Sequence, residues 1–438
     1  MNKKILYMLC MALACAFLVG ACGDDDDDGD GGGGATTTEE SGVTEGAETI
    51  DVASMEGATG EVTYCTGKDT SGAQKKSVAD FNKEFESEGL SAKLLEFPES
   101  ADEQRNQFIQ RQRAKSGECD IFYSDVIWTA EFASQKWLFD VTPYVEQRED
   151  EFIPATFESV QFDGKTWGVP KQTDAALMYY RSDQVDQAPT TWQETYSSAE
   201  AEDGIVYQGA AYEGLTVDFL ELAFAAGGQV LSEDGTKAVI DSPENLEALQ
   251  FMVDGVGSAA PKAVTTYMEE PSRRAFESGR ATYMRNWPYA FALGNQAPKV
   301  KGKFEVAPLP SWEGGEAASI LGGHNLVISA FSENPGGALK LTDFLTSPEI
   351  QVQDAAEFSL APVLAETYED ASVQEALPFA AELKQAVEQA RSRPVSPVYP
   401  QISQAIYKNV NAALSGQTSP EEALKQAQSD MEQALQTF

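Results

Sequence analysis

His324 is the only histidine in the 438-residue chain, and that alone removes whole classes of chemistry. A zinc site built on several imidazoles is excluded, and any Ser–His–Asp arrangement would have to use His324. Two stretches half-match a phosphate-binding loop, Gly67-Lys68 and Gly164-Lys165-Thr166, but Val62 and Ser159 stand where the earlier glycine is needed. What remains for chemistry is carboxylates, arginines and aromatic residues in expected loops. Such a set suits a polyhydroxylated ligand, because Asp and Arg make several hydrogen bonds to hydroxyls while a pyranose ring stacks its C–H face on Trp or Tyr. It also suits glycoside hydrolysis, which needs two carboxylates astride one bond, and Asp125 and Asp174 are the candidate pair. Nothing in the set asks for a cofactor or a metal.

The elements that must position these residues alternate in type. Val62 to Cys65 reads as a strand, and Val78, Phe81 and Phe85 then recur at helical spacing, with Gly89 as a stop. Lys93 to Phe97 reads as a second strand. Ser100-Ala101-Asp102-Glu103 is a capping-box pattern that opens a helix running towards Gly117, and Asp120 to Tyr123 is a third strand. Strand–helix–strand–helix–strand argues for a parallel sheet covered by helices on both faces. Further strands are expected at Tyr179-Tyr180, Ala281–Asn286, Phe304–Ala307 and Leu326–Ile328. Ser242-Pro243-Glu244, Ser347-Pro348-Glu349 and Ser419-Pro420-Glu421 each pair an N-cap serine with proline at the first helical position. The fold class is α/β in two lobes.

The N-terminus reads as an export signal. Lys3 and Lys4 precede an apolar stretch, Ile5 to Ala21, that ends in small residues before Cys22. From Gly23 to about Glu56 the chain is Asp-, Gly-, Thr- and Glu-rich without an aromatic or basic residue, a composition expected to form a disordered, self-repelling tether. About 380 residues follow position 57, enough for two lobes. Beyond the signal no stretch approaches the roughly 18 apolar residues of a membrane helix. A net charge of −39 argues against nucleic acid, where Lys and Arg must neutralise phosphates. Cys65 and Cys119 are the cysteines left in the body. Secretion permits a disulfide, but each lies in or beside an expected strand, and opposite ends of neighbouring strands lie too far apart to bridge. The expectation leans towards unpaired thiols.

A long ordered set of motifs carries a resemblance. It comprises Asp102-Glu103-Gln104-Arg105, Asp125-Val126-Ile127-Trp128, Thr173-Asp174-Ala175 with Tyr179-Tyr180-Arg181, Thr191-Trp192-Gln193-Glu194 and Tyr212-Glu213-Gly214-Leu215. It continues with Arg285-Asn286-Trp287-Pro288-Tyr289, Ala307-Pro308-Leu309-Pro310, Leu321-Gly322-Gly323 and Arg393-Pro394 before Tyr399-Pro400-Gln401. From about Glu61 onward the chain resembles the extracellular solute-binding proteins of ABC importers, in particular the maltose/trehalose-binding proteins. The resemblance implies a two-lobed periplasmic-binding-protein-like fold of the maltose-binding type, a ligand cleft between the lobes, three hinge crossings and closure on the ligand. Its implied partners are a small-molecule sugar and the permease and ATPase subunits of the importer, with the chain a monomer and not an enzyme. Val19-Gly20-Ala21-Cys22 resembles a lipobox, implying a lipid anchor at Cys22 on the outer face of the cytoplasmic membrane. Expected boundaries are 1–21 for the signal, 22–57 for the tether, 58–172 with 306–358 for the first lobe, and 173–305 with 359–438 for the second.

Eight residues are the expected sugar contacts. Asp125 follows the third strand, where open parallel sheets bind ligands, and Asp174 precedes a strand at a plausible first hinge. Trp287 and Tyr289 flank Pro288 beyond a strand end, a loop position suited to stacking. Arg105 and Arg393 are carried over from the family motif, and Gly323 would let backbone approach the ligand. Two departures make the pocket more polar than in some relatives: His324 follows the Gly-Gly pair where an aromatic is frequent, and Gln172 precedes Asp174. A histidine there would make affinity pH-sensitive. The alternatives are a secreted glycosidase using the Asp pair, a surface-interaction protein displayed on the acidic tether, and a binding protein for a solute other than a disaccharide. Trehalose, maltose, sucrose and longer glucans all remain open.

Overall fold

A computed structural model describes residues 48–199 and 204–436. All of them belong to one unit, Gly46–Phe438. Cys22, the signal and most of the tether lie outside the described residues. The strands in chain order are β1 (Gly60–Thr66), β2 (Leu90–Glu96), β3 (Ile121–Asp125), β4 (Gln161–Phe162), β5 (Lys165–Thr166), β6 (Val169–Asp174), β7 (Leu177–Tyr180), β8 (Ile205–Val206), β9 (Tyr283–Asn286), β10 (Glu305–Pro308) and β11 (Gly322–Ile328). They form a first sheet in the order β2-β1-β3-β11-β6, a second in the order β10-β7-β9-β8, and the small hairpin β4-β5.

The first sheet is mixed rather than parallel. β1, β2 and β3 run parallel, joined by the expected helices Ala73–Phe85 and Ala101–Arg113, but β11 lies antiparallel to both β3 and β6. Side-chain alternation sorts the sheet into two cores. Val62, Tyr64, Ile121, Leu326 and Ile328 pack on one face, and Cys65, Phe122 and Val327 on the other. Ser242, Ser347 and Ser419 cap their helices as expected, each accepting from the backbone N–H three residues on. Ser100 precedes its helix without making the side-chain cap.

The chain passes between the sheets after β6, returns before β11, and leaves again after the helix Pro348–Phe358. A boundary at 306 would put β10 in the first lobe, yet β10 pairs along its length with β7 of the second sheet. Ser311 then bridges Thr191, and Ile320 bridges Arg391, so the return falls close to Gly322. The end of the expected tether is also packed. Thr49 bridges Asp140, Ile50 is buried among first-sheet residues, and Val52–Met55 forms a 3-10 turn.

Cys65 and Cys119 form a disulfide, against expectation. Cys119 sits in the approach to β3 rather than in a strand, and its Cα is 5.8 Å from that of Cys65, inside bridging range.

β6 carries a bulge that decides which of its residues face the cleft. Val169 pairs with Leu326 and Pro170 with Asn325, but Gln172, not Lys171, pairs with His324. One extra residue flips the side-chain parity of everything after it. Gln172 and Asp174 therefore share a face with Val169, and with His324 across the ladder. The extra residue, Lys171, is buried, and its Nζ meets Asp354 Oδ2 at 2.5 Å on the helix Pro348–Phe358. Gln351 of the same helix donates from Nε2 to the Lys171 carbonyl at 2.7 Å and accepts from Val363 N–H at 2.9 Å. Burial pushes the Asp354 carboxyl up while Lys171 pulls it down. Removing one member of such a pair strands the other charge. Asp354→Ala is expected to destabilise the fold by about 3–5 kcal/mol. The check is urea denaturation, and an unchanged midpoint would show that water replaces the pair.

Candidate functional site

The cleft forms where the ends of β1, β3, β6 and β11 meet elements of the second lobe. On β3, Tyr123 and Asp125 are two residues apart, as are Gln172 and Asp174 on β6 and Gly322 and His324 on β11. The register His324↔Asp125, His324↔Gln172 and Gly322↔Asp174 puts all six positions on one face of the sheet. The second lobe contributes Trp287 and Tyr289 from the loop after β9, Glu269 and Glu270 from the helix Glu269–Glu277, and Tyr212 and Glu213 at the start of the helix Glu213–Ala225. The loop Gly67–Ser71 after β1 completes the lining.

Seven of the eight expected contacts converge on this cleft: Asp125, Asp174, Trp287, Tyr289, Gly323, His324 and Arg393. Arg105 does not. Its helix face turns it to Glu131, which it grips through both Nε (2.7 Å) and Nη2, and the bland ion pair replaces the expected ligand contact. Gly323 lines the cleft, but its necessity is internal. Its φ is +113°, and a Cβ there would sit 2.3 Å from the Gln172 carbonyl oxygen, so glycine lets β11 close on β6 past the bulge.

The polar residues hold one another in defined states. Arg393 donates from Nη2 to Asp125 Oδ1 at 3.0 Å and from Nη1 to Glu213 Oε1 at 2.7 Å, joining a carboxylate of each lobe. Glu213 also accepts from Tyr399 at 2.6 Å and from Ser403, while its own N–H donates to Asp102 Oδ2 at 3.0 Å. Asp102 and Asp125 of the first lobe are thereby tied to the second. Trp287 lies with the buried Arg285 guanidinium 4.1 Å from its ring centroid, and Arg285 in turn bonds Glu221 from Nε at 2.9 Å. A cation so placed rigidifies the indole while the ring lines the cleft. Tyr289 donates to Glu270 Oε1 at 3.0 Å.

His324 stacks on Tyr123, with ring centroids 4.1 Å apart and planes 5° from parallel. Burial pushes its pKa down to about 4, with Asp125 opposing and Arg393 assisting. The imidazole is therefore neutral throughout the physiological range, and the expected pH sensitivity does not reside in it. Asp174 behaves the other way. Its Oδ2 accepts from Gln172 Nε2 at 2.9 Å, its Oδ1 has no partner, and burial raises its pKa to about 8 against the pull of Gln172 and Arg285. Of the features not anticipated, the loop Gly67–Ser71 was open to the rule used for Asp125, since it too follows a parallel strand. Glu213 stands in the motif Tyr212-Glu213-Gly214-Leu215 but was not singled out from it, and Tyr123 carried no local signal.

The residues 69–352 match the family described as bacterial extracellular solute-binding protein. The chain belongs to this family. A probable ABC transporter-binding protein of Deinococcus radiodurans is 33% identical over 358 residues, which is 77% of this chain and 85% of that protein. Maltose-bound MalE3 of T. maritima superposes with a TM-score of 0.81 at 39% identity, covering 85% of this chain and 99% of that one. A solute-binding protein of Thermotoga lettingae bound to α-D-tagatose gives 0.79 at 26% identity over 86% of this chain and all of that one, 100%. The two-lobed binding-protein fold is thereby established. A member of this family is the solute-binding component of an ABC transporter and not an enzyme, which retires the glycosidase alternative; Asp125, half of the supposed catalytic pair, is spent on Arg393. Among the described residues no helix is long and apolar enough to cross a membrane, and no cluster of potential metal ligands occurs.

The raised pKa of Asp174 has a stability consequence. Between the unfolded value near 4 and about 8 the folded chain keeps a proton that the unfolded chain has released, so this group's contribution is full at low pH and is lost as pH rises. Asp174→Asn is expected to gain on the wild type steadily from pH 5 to pH 8 in thermal or urea unfolding. Parallel pH profiles for the two proteins would refute the assignment.

Proposed function

We propose that this solute-binding protein captures a disaccharide or short oligosaccharide of the maltose/trehalose kind between its lobes and presents it to the importer's permease and ATPase. The observation that carries the reading is the cleft's chemistry: an indole backed by a buried guanidinium, facing a sheet edge that carries Asp125, Asp174 and His324. Aromatic platforms with fixed polar groups are what a pyranose needs, an apolar face to stack and hydroxyls to bond. The likeness to the maltose-bound T. maritima protein, at 39% identity, supports the same ligand class. So do two more distant relatives described as arabinooligosaccharide-binding proteins, from Halalkalibacterium halodurans (25% identical over 394 residues) and Bacillus subtilis (23% over 210). Trp287, Tyr289, Asp125, Asp174, His324 and Arg393 are the proposed sugar contacts, with the protein acting as a monomer. The Cys22 lipid anchor, joined to the body by the acidic tether, keeps it at the outer face of the cytoplasmic membrane.

The test is calorimetric titration against maltose, trehalose, sucrose and maltotriose. Saturable one-to-one binding of at least one is expected. Trp287→Ala should weaken it by about ten- to hundredfold, as loss of a stacking surface with its cation costs roughly 1–3 kcal/mol. A folded protein that ignores the whole panel would overturn the disaccharide reading.

A further inference from the structure

The cleft face of β6 carries a small hydrogen-bond relay. Tyr123 OH donates to Gln172 Oε1, and Gln172 Nε2 donates to Asp174 Oδ2 at 2.9 Å. Tyr123 is buried and its phenol is held well above its usual pKa, chiefly by burial, so at neutral pH it is always a donor. That fixes the carboxamide: its oxygen must face the phenol, and its N–H must face the carboxyl. The stack of His324 on Tyr123 restrains the ring at the head of the relay.

The relay ends in an atom with nothing to bind. Asp174 is 5% exposed and lines the cleft, yet its Oδ1 has no hydrogen-bond partner. The nearby cations are engaged elsewhere: Lys171 with Asp354, Arg393 with Asp125 and Glu213, and Arg285 with Asp218 and Glu221. Among charged groups, Arg285 and Asp125 act on Asp174 electrostatically in opposite senses, and the neighbouring His324 is neutral. A buried polar atom left unpaired is costly, and in a binding cleft the ligand is what satisfies it.

We propose that Gln172 is a specificity-determining positioning residue, which with Tyr123 turns the Asp174 carboxyl so that Oδ1 is reserved for one hydroxyl of the bound sugar. The argument for a hydroxyl is one of proton inventory. Because Oδ2 already accepts from Gln172, the proton of the neutral acid sits on Oδ1, which then donates; in the carboxylate the same oxygen accepts. With the pKa raised by burial to about 8, both forms are present near neutral pH. A hydroxyl both donates and accepts, so it satisfies Oδ1 in either form. An ether oxygen serves only the acid, and an ammonium only the carboxylate. A site built to bond a hydroxyl rejects the analogue that lacks it strongly, because its own polar atom is then left unpaired.

This inference rests on the sugar reading, and the experiment separates the two. Whichever of maltose, trehalose, sucrose and maltotriose binds the wild-type protein most tightly is titrated alongside its monodeoxy derivatives, at pH 6 and pH 9, with the wild type, Gln172→Leu and Tyr123→Phe. One deoxy derivative should bind the wild type at least about a hundredfold more weakly than the parent sugar at both pH values. Gln172→Leu should cut that discrimination at least tenfold while leaving discrimination at the other hydroxyls intact. Tyr123→Phe, which keeps the ring and its stack on His324, should act in the same direction and decides the matter if the leucine variant fails to fold. Equal weakening of every derivative in both variants would reduce Gln172 to a structural residue and overturn the inference alone. Binding of none of the four sugars to the wild type would overturn the sugar reading, and this inference with it.

Discussion

The extra residue in β6 is the constraint on which the cleft depends. A strand alternates its side chains strictly, so the parity that buries Val169 against the first core would, without the bulge, send Gln172 and Asp174 to the opposite face. Inserting Lys171 restores them to the cleft face, but places an ammonium group in the interior. Asp354 neutralises it, and Gln351 takes up the carbonyl of the same residue. The helix Pro348–Phe358, remote from β6 in sequence, is thus what holds this edge strand in register. Gly323 is the other half of the device, since only a residue without a Cβ lets β11 follow β6 past the irregularity.

The buried ion pairs at the cleft's edge follow the same logic. Arg393 between Asp125 and Glu213, and Asp102 at the first backbone N–H groups of the helix Glu213–Ala225, add little net stability, because desolvating such groups offsets most of their attraction. What they supply is geometry. Two of these contacts, Arg393 with Asp125 and Asp102 with the Glu213 N–H, need a partner from the other lobe, so they form only at one relative position of the two lobes. Arg393, a proposed sugar contact, has two protein carboxylates as its nearest partners, so the same side chain lines the cleft and belongs to that junction.

Much of this was legible from the residues. The strands β1, β2, β3, β7, β9, β10 and β11, the three serine caps and the gathering of Asp125, Asp174, Trp287, Tyr289 and His324 followed from periodicity, from the rule for strand ends, and from the family likeness, whereas β4, β5, β6 and β8 did not. What escaped was whatever depends on register or on distant partners. No local pattern marks Lys171 as an extra residue, because Val-Pro-Lys-Gln-Thr-Asp, with its proline, reads as a hinge segment before a strand rather than as the strand β6 that it forms. Cys119, beside the expected third strand, lies in the approach to β3 within bridging range of Cys65, a proximity that strand order alone did not reveal. Arg105 carries a family motif, but Glu131, twenty-six residues on, claims its guanidinium. The expected boundary at 306 falls inside β10, and only the pairing of β10 with β7 assigns that strand to the second sheet.

The N-terminal residues 48–57 are fastened to one lobe alone. Ile50 N–H donates to the Asp140 carbonyl at 2.9 Å, Asp140 N–H returns a bond to Glu48 at 3.0 Å, and Ile50 is buried in the first-sheet core. Any load transmitted along the chain from upstream therefore enters the first lobe and not the lobe that carries Trp287 and Arg393. A pull on the N-terminal end would then reposition the whole body without acting directly on the contacts that join its lobes.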